Sequence, residues 1–330
     1  MTRPVKTLAD IAVLAGVTPA TVSRALSGNE RISLTTRRKV LAIAEEHGFQ
    51  INQTARNLRM GRTQSIGVII PLGHESAQRV SDPFYTTLIG NLMDGLAKRD
   101  HAMLLSAVTP WLSTIARSGR VDGLIVLCQS DQDAVLQDMG RRYRPLVVWG
   151  EANEREQHYC CVGTDNQLGG RLATEHLLRM GRRQIAFAGM TDIPELAARH
   201  AGYLLAHREA GVAPAPAIPV PLAFDAGSPR FREGLLANPA IDGIVAASDM
   251  IAMGTLRALA EIGRSVPGDV SVIGYDDVTL AAHTLPPLTT IRQDLGLAAG
   301  VILDLLFDRI AGADARSVHI PLELVRRQSA

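Results

Sequence analysis

One short stretch of the chain, residues 18–24, combines small and polar side chains with a single arginine. Side chains of this size suit the outer face of a helix that enters the DNA major groove, which is about 12 Å wide. An arginine on that face could donate two hydrogen bonds to one guanine. The residues with this character are Thr18, Ala20, Thr21, Ser23 and Arg24. The pattern predicts a face that reads base edges, and an ordinary helical bundle that does not touch DNA is the alternative.

Helix-capping signals place this stretch on the second of two helices. Thr7 and Asp10 have the spacing of a capping box, in which each side chain binds the other residue's backbone N–H. Gly16 can adopt the left-handed conformation that ends a helix. Thr18 and Pro19 then restart one, because threonine is a good N-cap and proline needs no acceptor at the first helical position. The sequence therefore predicts helix, tight turn, helix.

Charge is distributed unevenly along the 330 residues, although the formal net charge is only +1. Residues 1–63 hold ten basic against four acidic side chains, which gives +6, and the remaining residues hold 24 against 29, which gives −5. A third predicted helix, from Ser33 to about His47, carries Arg37-Arg38-Lys39, a cluster that suits phosphate contact or simple solvation. A basic head on an acidic body is expected of a nucleic-acid module fused to a second module.

Residues 50–63 form a short, polar and basic connection, and a flexible tether is the simplest interpretation. Asn52 is nevertheless a good N-cap, and isolated helices under about 12 residues are marginal in water, so we predict a segment that becomes helical only when bound. Leu58 beside Arg56 and Arg59 suits an apolar wedge between base steps, with the arginines at the minor groove or the phosphates.

Residues 7–71 resemble the N-terminus of the lactose/galactose repressor (LacI) family of transcription regulators, over TLADIAVLAGVTPATVSRALSGNERISLTTRRKVLAIAEEHGFQINQTARNLRMGRTQSIGVIIP. In that family the second helix reads the major groove, and Pro19 and Ala20 fall where members vary their sequence preference. The family's N-x-x-A-R-x-L hinge helix, whose leucine inserts at the operator centre, is matched at Asn52, Ala55, Arg56 and Leu58. The candidate DNA-contacting residues are therefore Thr7, Thr18, Pro19, Ala20, Thr21, Ser23, Arg24, Asn52, Ala55, Arg56, Leu58 and Arg59.

From Ser65 onward, apolar strand patterns alternate with helical patterns. Continuous apolar strands between helices predict parallel sheets covered on both faces, with ligands bound beyond the carboxyl ends of the strands. The similar segments VDGLIVL and IDGIVAASD indicate two related lobes that form a cleft. Strands are predicted at 65–71, 103–107, 123–127, 146–149, 160–162, 185–188, 243–246 and 270–273. Helices are predicted at about 85–99, 131–142, 166–180, 196–210, 229–237, 250–263 and 293–309.

Catalytic, metal and membrane signals are not found in the sequence. No P-loop, G-x-G-x-x-G, G-x-S-x-G or H-E-x-x-H motif occurs, and Cys128, Cys160 and Cys161 are wrongly spaced for a disulfide framework or a zinc site. The pair Asp276-Asp277 suits a structural or ligand-binding role better than catalysis. The chain has no run of 18 apolar residues and its first residues, MTRPVKTLAD, have no apolar signal region. We expect no cofactor, no metal, no catalysis and a cytoplasmic, nucleoid-associated location.

The body resembles the family's periplasmic-binding-protein-like effector domain, over SDPFY (81–85), VGTDNQLGGRLATEHLLRMGRRQIAFAG (162–189), RHAGY (199–203), SDMIAMG (248–254), DVSVIGYDDVTLA (269–281) and PPLTTIRQD (286–294). Effector contacts in the family come from loops at the cleft edges. The resemblance implies Phe84, Arg199, Phe224, Asp249, Asp276 and Gln293. Charge-assisted hydrogen bonds from Arg199 and Asp276 would suit a sugar, and Phe224 or Trp149 could stack on a pyranose ring.

Four of these residues also have a structural alternative. Arg199 could pair with a surface acid, Phe84 and Phe224 could be core residues, and Asp249 could brace the hinge between the lobes. Two departures from the family pattern concern the cleft. Residues 108–120 replace a longer segment, and Trp149-Gly150-Glu151 stands where many members carry an aspartate, so that one contact is missing or is replaced by Glu151.

The expected architecture is an all-α helix-turn-helix head (1–50), a hinge helix (51–63) and an α/β body of two parallel-sheet lobes (64–330). Lobe 1 would span about 64–162 and 292–320, and lobe 2 about 163–291 and 321–330. The expected protein is a homodimeric repressor of carbohydrate-utilisation genes that a mono- or disaccharide releases from double-stranded operator DNA, although tightening by the effector remains open. A transport-type sugar-binding protein and an α/β enzyme are the competing interpretations, and the basic head counts against both.

The wedge interpretation of Leu58 gives a first prediction. Leu58→Ala should weaken operator binding about tenfold, since filling an unstacked base step depends on the apolar side chain. Fluorescence anisotropy on an operator duplex measures this loss, while the urea midpoint and effector affinity should stay unchanged. An operator affinity equal to that of the unaltered protein would contradict the interpretation of Leu58 as a wedge.

Overall fold

The computed structural model describes residues 7–26, 29, 31–49, 63–72, 79–107, 114–115, 118–129, 133–151, 158–222, 228–314 and 316–330. The chain divides into two compact units, residues 1–63 and 64–330. None of the helices in these ranges is long and apolar enough to cross a membrane. The hinge segment predicted at 51–63 lies, except for Thr63, outside the described residues.

The first unit contains the three predicted helices, α1 (Leu8–Ala15), α2 (Pro19–Leu26) and α3 (Leu34–Glu46). The capping box of Thr7 and Asp10 is confirmed, and Gly16 ends α1 at φ 68° and ψ 34°, a left-handed conformation that suits glycine. A small apolar core holds the helices together: Ile11, Ala12, Ala15, Val22, Ala25, Val40 and Ala44.

The second unit alternates strands and helices, as predicted. In chain order its elements are β1 (Ser65–Ile69), α4 (Pro83–Ala97), β2 (Ala102–Ser106), β3 (Gly123–Leu127), α5 (Asp133–Arg142), β4 (Leu146–Trp149), β5 (Cys160–Thr164), α6 (Asn166–Arg179), β6 (Ile185–Ala188), α7 (Pro194–Ala210), α8 (Ser228–Ala237), β7 (Gly243–Ala246), α9 (Asp249–Glu261), β8 (Ser271–Asp276), a 3₁₀ turn (Thr279–His283), β9 (Thr289–Gln293), α10 (Leu295–Ile310), β10 (Val318–Ile320) and β11 (Leu322–Val325).

Two sheets organise this unit into two lobes. The sheet of lobe 1 has the order β10-β5-β4-β3-β1-β2 and is entirely parallel. The sheet of lobe 2 has the order β11-β9-β8-β7-β6, in which only β11 runs antiparallel to its neighbour. Strands β3, β4 and β5 are buried at every position, because each face of the first sheet carries its own apolar cluster. The predicted α/β body of two lobes is confirmed.

The chain passes between the sheets at residues 165, 294 and 321. After β5 it enters α6, which packs on lobe 2, and after β9 it enters α10, which packs against α4, β3, β4 and β5 of lobe 1. Asp165 caps α6 by accepting from the N–H of Leu168 at 2.8 Å, and Asp294 caps α10 by accepting from the N–H of Leu297 at 2.9 Å. Two of the three connections therefore end in the same capped turn.

Three strands, β9, β10 and β11, are absent from the prediction. In β9 the buried residues Thr289 and Thr290 donate from their hydroxyls to partners far along the chain, the carbonyl of Ala330 and the carboxylate of Asp249. These hydroxyl contacts satisfy the buried polar groups, so an apolar pattern is not needed there. The predicted helix at 293–309 consequently begins two residues later, at Leu295, because Gln293 still belongs to β9.

Histidine burial in lobe 2 gives a prediction about pH. His207 is 1% exposed, its Nδ1–H donates to the carbonyl of Val212 at 3.0 Å, and its ring meets Tyr203 edge-on. Burial lowers the pKa of His207. The pKa of this histidine in the unfolded chain is about 6.5, so below that pH the unfolded chain takes up a proton more readily than the folded protein. The free energy of unfolding therefore decreases as the pH is lowered, by at most about 1.4 kcal/mol per pH unit.

Urea unfolding at pH 7.5, 6.0 and 5.0 measures this effect. His207→Gln, which cannot take up a proton, should lose less stability than the unaltered protein as the pH falls. The exposed His283, replaced by glutamine, is the matched control and should follow the unaltered protein. Parallel pH profiles for all three proteins would show that His207 does not resist protonation.

Candidate effector cleft and DNA-contact face

Helix α2 presents the predicted DNA-contacting side chains away from the head's core. Val22 and Ala25 are buried, whereas Thr18, Pro19, Ala20 and Arg24 are exposed and Thr21 and Ser23 are half-buried. The hydroxyl of Thr18 accepts from the N–H of Thr21 at 3.2 Å and so caps the helix. The structure thus leaves these six residues fully or partly accessible to solvent.

The remaining predicted DNA contacts are placed differently. Thr7 is exposed at the start of α1, but its hydroxyl donates to Asp10 at 2.8 Å within the capping box. Asn52, Ala55, Arg56, Leu58 and Arg59 lie outside the described residues, so their contacts stay predictions.

A cleft that opens to solvent lies between the lobes of the second unit. Lobe 1 lines it with Asp82, Phe84, Tyr85, Cys128 and Trp149, and lobe 2 with Ile193, Glu195, Leu196, Arg199, Leu222, Ser248 and Asp276. The lobe 1 wall is aromatic: the Phe84 ring lies 5.6 Å from that of Tyr85 and 6.1 Å from that of Trp149. Phe84 and Trp149 also pack on the lobe 1 core.

Arg199 brings a basic group to this cleft. It is 8% exposed on α7; its Nε donates to Asn166 Oδ1 at 2.9 Å, and its Nη1 donates to the carbonyl of Ala247 at 2.6 Å. The guanidinium carbon lies 3.6 Å from the centre of the Tyr275 ring, a cation–π contact. Its acidic neighbour is the buried Asp276, with Nη1 and Oδ1 3.8 Å apart, and not a surface acid.

Asp276 reaches the cleft at the carboxyl end of β8. Burial raises its pKa to about 7, the charge of Asp82 adds to this, and the guanidinium of Arg199 opposes it. Asp276 and Asp277 have φ of 116° and 55°, which non-glycine residues rarely adopt. Asp277 points elsewhere, because Arg292 and Arg327 donate to its two oxygens at 2.7 and 2.6 Å.

Two predicted effector contacts lie behind the cleft wall. Gln293, the last residue of β9, donates to Asp276 Oδ1 and accepts from the hydroxyl of Thr164, both at 2.7 Å, and so connects Asp276 to β5 of lobe 1. Asp249 is fully buried and accepts from the N–H of Val278 at 2.9 Å and the hydroxyl of Thr290 at 2.5 Å. It therefore braces the ends of β8 and β9. The last predicted contact, Phe224, lies outside the described residues.

Glu151, the departure at the end of β4, orients Arg199 through an intermediate residue. Its Oε2 accepts from Asn166 Nδ2 at 2.6 Å, and the oxygen of the same amide accepts from Arg199. Burial raises the pKa of Glu151, and the hydrogen bond from Asn166 opposes that shift. Glu151 belongs to lobe 1 and Arg199 to lobe 2, so this relay joins the lobes at the cleft edge.

Sequence reasoning missed several residues of the cleft wall, above all Asp82, Tyr85, Cys128 and Glu195. Asp82 and Tyr85 belong to the SDPFY segment, from which only Phe84 was selected. Glu195 lies four residues before Arg199, a helical spacing that places both on one face of α7. Among the described residues, no three histidine, cysteine or acidic side chains lie close enough to hold a metal ion.

The adjacent aspartates should respond oppositely to removal of their charge. Asp277→Asn should destabilise the protein by about 2 kcal/mol, because two arginines lose a buried carboxylate. Asp276→Asn should be neutral or stabilising at pH 8, because burial penalises the charged form there. At pH 5.5 folded Asp276 already holds a proton, so this gain should shrink. Asparagine tolerates positive φ at both positions.

Urea unfolding of both variants at pH 8.0 and 5.5 is the measurement. The two single variants serve as controls for each other, because they share the substitution, the loop and the backbone conformation. Equal losses of stability at pH 8 would mean that Asp276, like Asp277, is stabilised by its partners.

Comparisons with known proteins agree with this architecture. Residues 7–52 match the model of bacterial regulatory proteins of the lacI family, and residues 174–330 match a periplasmic binding protein-like domain. The HTH-type transcriptional regulator CelR of Thermobifida fusca is 33% identical over 327 residues, 96% of this chain and 95% of CelR. The ribose operon repressor of Escherichia coli (strain K12) is 29% identical over 98% of this chain and 99% of its own length.

Solved structures are similar over the whole chain. A complex of the transcriptional regulator CelR with cellobiose is 30% identical, covers 99% of this chain and 100% of its own, and has a TM-score of 0.72. The lac repressor dimer bound to operator and the anti-inducer ONPF is 26% identical, covers 99% of both chains and has a TM-score of 0.86. The chain therefore belongs to the lacI family of bacterial regulatory proteins, which are DNA-binding transcription regulators and not enzymes.

Proposed function

We propose that this regulator represses carbohydrate-utilisation genes and that a mono- or disaccharide in the cleft releases it from its operator. The observation that carries the proposal is the pairing of an aromatic wall, Phe84 and Trp149, with the buried guanidinium of Arg199 and the buried carboxyl group of Asp276. The apolar face of a sugar ring packs on aromatic side chains, and its hydroxyls form charge-assisted hydrogen bonds. A relative with cellobiose bound supports the same class of ligand.

On the DNA, the exposed face of α2 would lie in the major groove. Two copies of the chain would place two heads in successive grooves of a pseudo-palindromic operator, in line with the two-fold axis of a homodimer. Leu58 and its arginine neighbours would act at the minor groove between the heads. This assigns residues 1–50 to the head, 51–63 to the hinge and 64–330 to the effector body, in a cytoplasmic, nucleoid-associated protein.

The switch would operate through the two lobes. A sugar that contacts Trp149 on lobe 1 and Arg199 on lobe 2 stabilises one relative arrangement of the lobes, and β1 of lobe 1 follows the hinge segment directly in sequence. A coupling free energy of about 1–3 kcal/mol changes operator affinity roughly 5–150-fold. Release on binding is the proposed direction.

A thermal-shift screen of mono- and disaccharides, followed by operator binding, tests the proposal. The operator duplex is first selected from a random library by affinity enrichment. A sugar that raises the melting temperature should lower operator affinity at least about fivefold. Steep weakening of operator binding by added salt should accompany it, because phosphate contacts release counterions. A sugar that tightens operator binding would reverse the direction of the switch.

Asp276→Asn is the variant of choice for the switch. It should bind the operator as the unaltered protein does and fail to release it at the same sugar concentration. Asp308→Asn, an exposed position on α10, is the matched control and should respond normally. Normal release from Asp276→Asn would take Asp276 out of the effector site.

A further inference from the structure

Among the lining residues that the structure describes, the cleft carries more acidic than basic side chains. Asp82, Glu195 and Asp276 line it, and Arg199 is the basic residue among its described lining residues. Arg199 faces Asp276 and is otherwise engaged by Asn166 and the carbonyl of Ala247. It can therefore offset one carboxylate at most. The carboxylates come from α7 and β8 of lobe 2 and from the start of α4 in lobe 1.

Among these three acids, Glu195 has a buried carboxylate oxygen that could accept a hydrogen bond from a ligand. It is 7% exposed, and its Oε1 accepts across the cleft from lobe 1, from Cys128 Sγ at 3.6 Å and the N–H of Gln129 at 3.5 Å. Its Oε2 is buried and, within the described part of the chain, accepts no hydrogen bond. Buried carboxylate oxygens normally have donors, so an oxygen of this kind in a cleft wall indicates a donor on the ligand.

Asp82 strengthens the negative field at the same place. It is the N-cap of α4, where its Oδ1 accepts from the N–H of Phe84 at 2.9 Å. Burial raises the pKa of Asp82 against this hydrogen bond. Burial raises the pKa of the neighbouring Tyr85 most, and the charges of Cys128, Asp82 and Glu195 raise it further. The negative charges of the acidic side chains therefore affect the ionisation of other residues in the cleft wall.

We infer that Glu195 is an effector-binding residue whose Oε2 accepts a hydrogen bond from the ligand, and that the cleft takes polyhydroxylated ligands without an anionic group. This deepens the proposed function and rests on it for the sugar class. Hydroxyls donate hydrogen bonds to carboxylates. A phosphate or carboxylate on the ligand would be repelled by the acids of the cleft, because both groups are negatively charged acceptors at low dielectric. Sugar phosphates and sugar acids should be rejected.

Matched sugar pairs test the selectivity. Thermal shift and calorimetry compare glucose with glucose 6-phosphate and cellobiose with cellobionic acid, together with other mono- and disaccharides and their acid or phosphate forms. The neutral member should bind at least about tenfold more tightly than its anionic partner. Glu195→Gln should lower the affinity for the neutral sugar and reduce the ratio between the affinities for the neutral and the anionic member of a pair. Glu209→Gln, exposed on the same helix, is the control and should change neither.

Alkylation of Cys128 tests the charge of the cleft without any effector. Mass spectrometry of the Cys128 peptide measures the rates of alkylation by neutral iodoacetamide and by anionic iodoacetate. The first rate is divided by the second, and the same ratio for the thiol of glutathione is the reference. The thiolate fraction cancels in this ratio, so a change in the thiol's own ionisation has no influence. The ratio should exceed that of glutathione about fivefold or more and fall towards it in Glu195→Gln.

The outcomes separate this inference from the proposed function. Anionic sugars that bind as tightly as neutral ones, or a Cys128 ratio equal to that of glutathione, would overturn the inference and leave a sugar effector in place. If no carbohydrate of any charge shifts the melting temperature or operator affinity, the proposed function fails. The alkylation ratio then decides by itself whether the cleft excludes anions.

Discussion

The buried guanidinium of Arg199 is the interaction on which the cleft depends. A buried charge is tolerated only where hydrogen bonds and counter-charges surround it, so its partners must be held in place as firmly as the charge itself. Those partners come from three points of the chain: Asn166 begins α6, Ala247 follows β7, and Tyr275 with Asp276 ends β8. The arginine therefore fixes the ends of separate elements around one position, and Asn166 extends the constraint to Glu151 in lobe 1.

Close packing of α6 on α7 makes this arrangement possible. A Cβ on Gly170 would lie 1.9 Å from the carbonyl oxygen of Arg199, and one on Gly202 would lie 1.8 Å from that of Gln167. No larger residue can occupy either position unless the helices separate. Separation of the helices would carry Asn166 away from Arg199, so two glycines outside the cleft decide its geometry. These glycines lie in the NQLGGR and RHAGY segments. The close packing of the two helices therefore gives a physical reason why these segments resemble those of the family.

The sequence predicts local features of this protein well and contacts between distant residues poorly. The head follows from caps and turns a few residues long, such as Thr7 with Asp10 and the left-handed Gly16. Phe84, Trp149, Arg199 and Asp276 do line the cleft, whereas Asp249 and Gln293 lie one layer behind it. A motif match cannot separate these two layers, because both are needed to hold the same strand ends. Glu195 and the Glu151 relay depend on partners contributed by the other lobe, which no local pattern reveals.

The distribution of charge between the lobes relates the cleft's chemistry to the proposed switch. Asp82 belongs to lobe 1, and Glu195 and Asp276 belong to lobe 2, so bringing the lobes together brings like charges together. Burial raises the pKa of Asp276, the guanidinium of Arg199 opposes that rise, and the charge of Asp82 across the cleft adds to it. A ligand that donates hydrogen bonds to these carboxylates offsets the repulsion, whereas one without donors leaves it in place. In the proposed switch, the acids that select the ligand would therefore also make the relative arrangement of the lobes depend on it, which is the differential affinity that a switch requires.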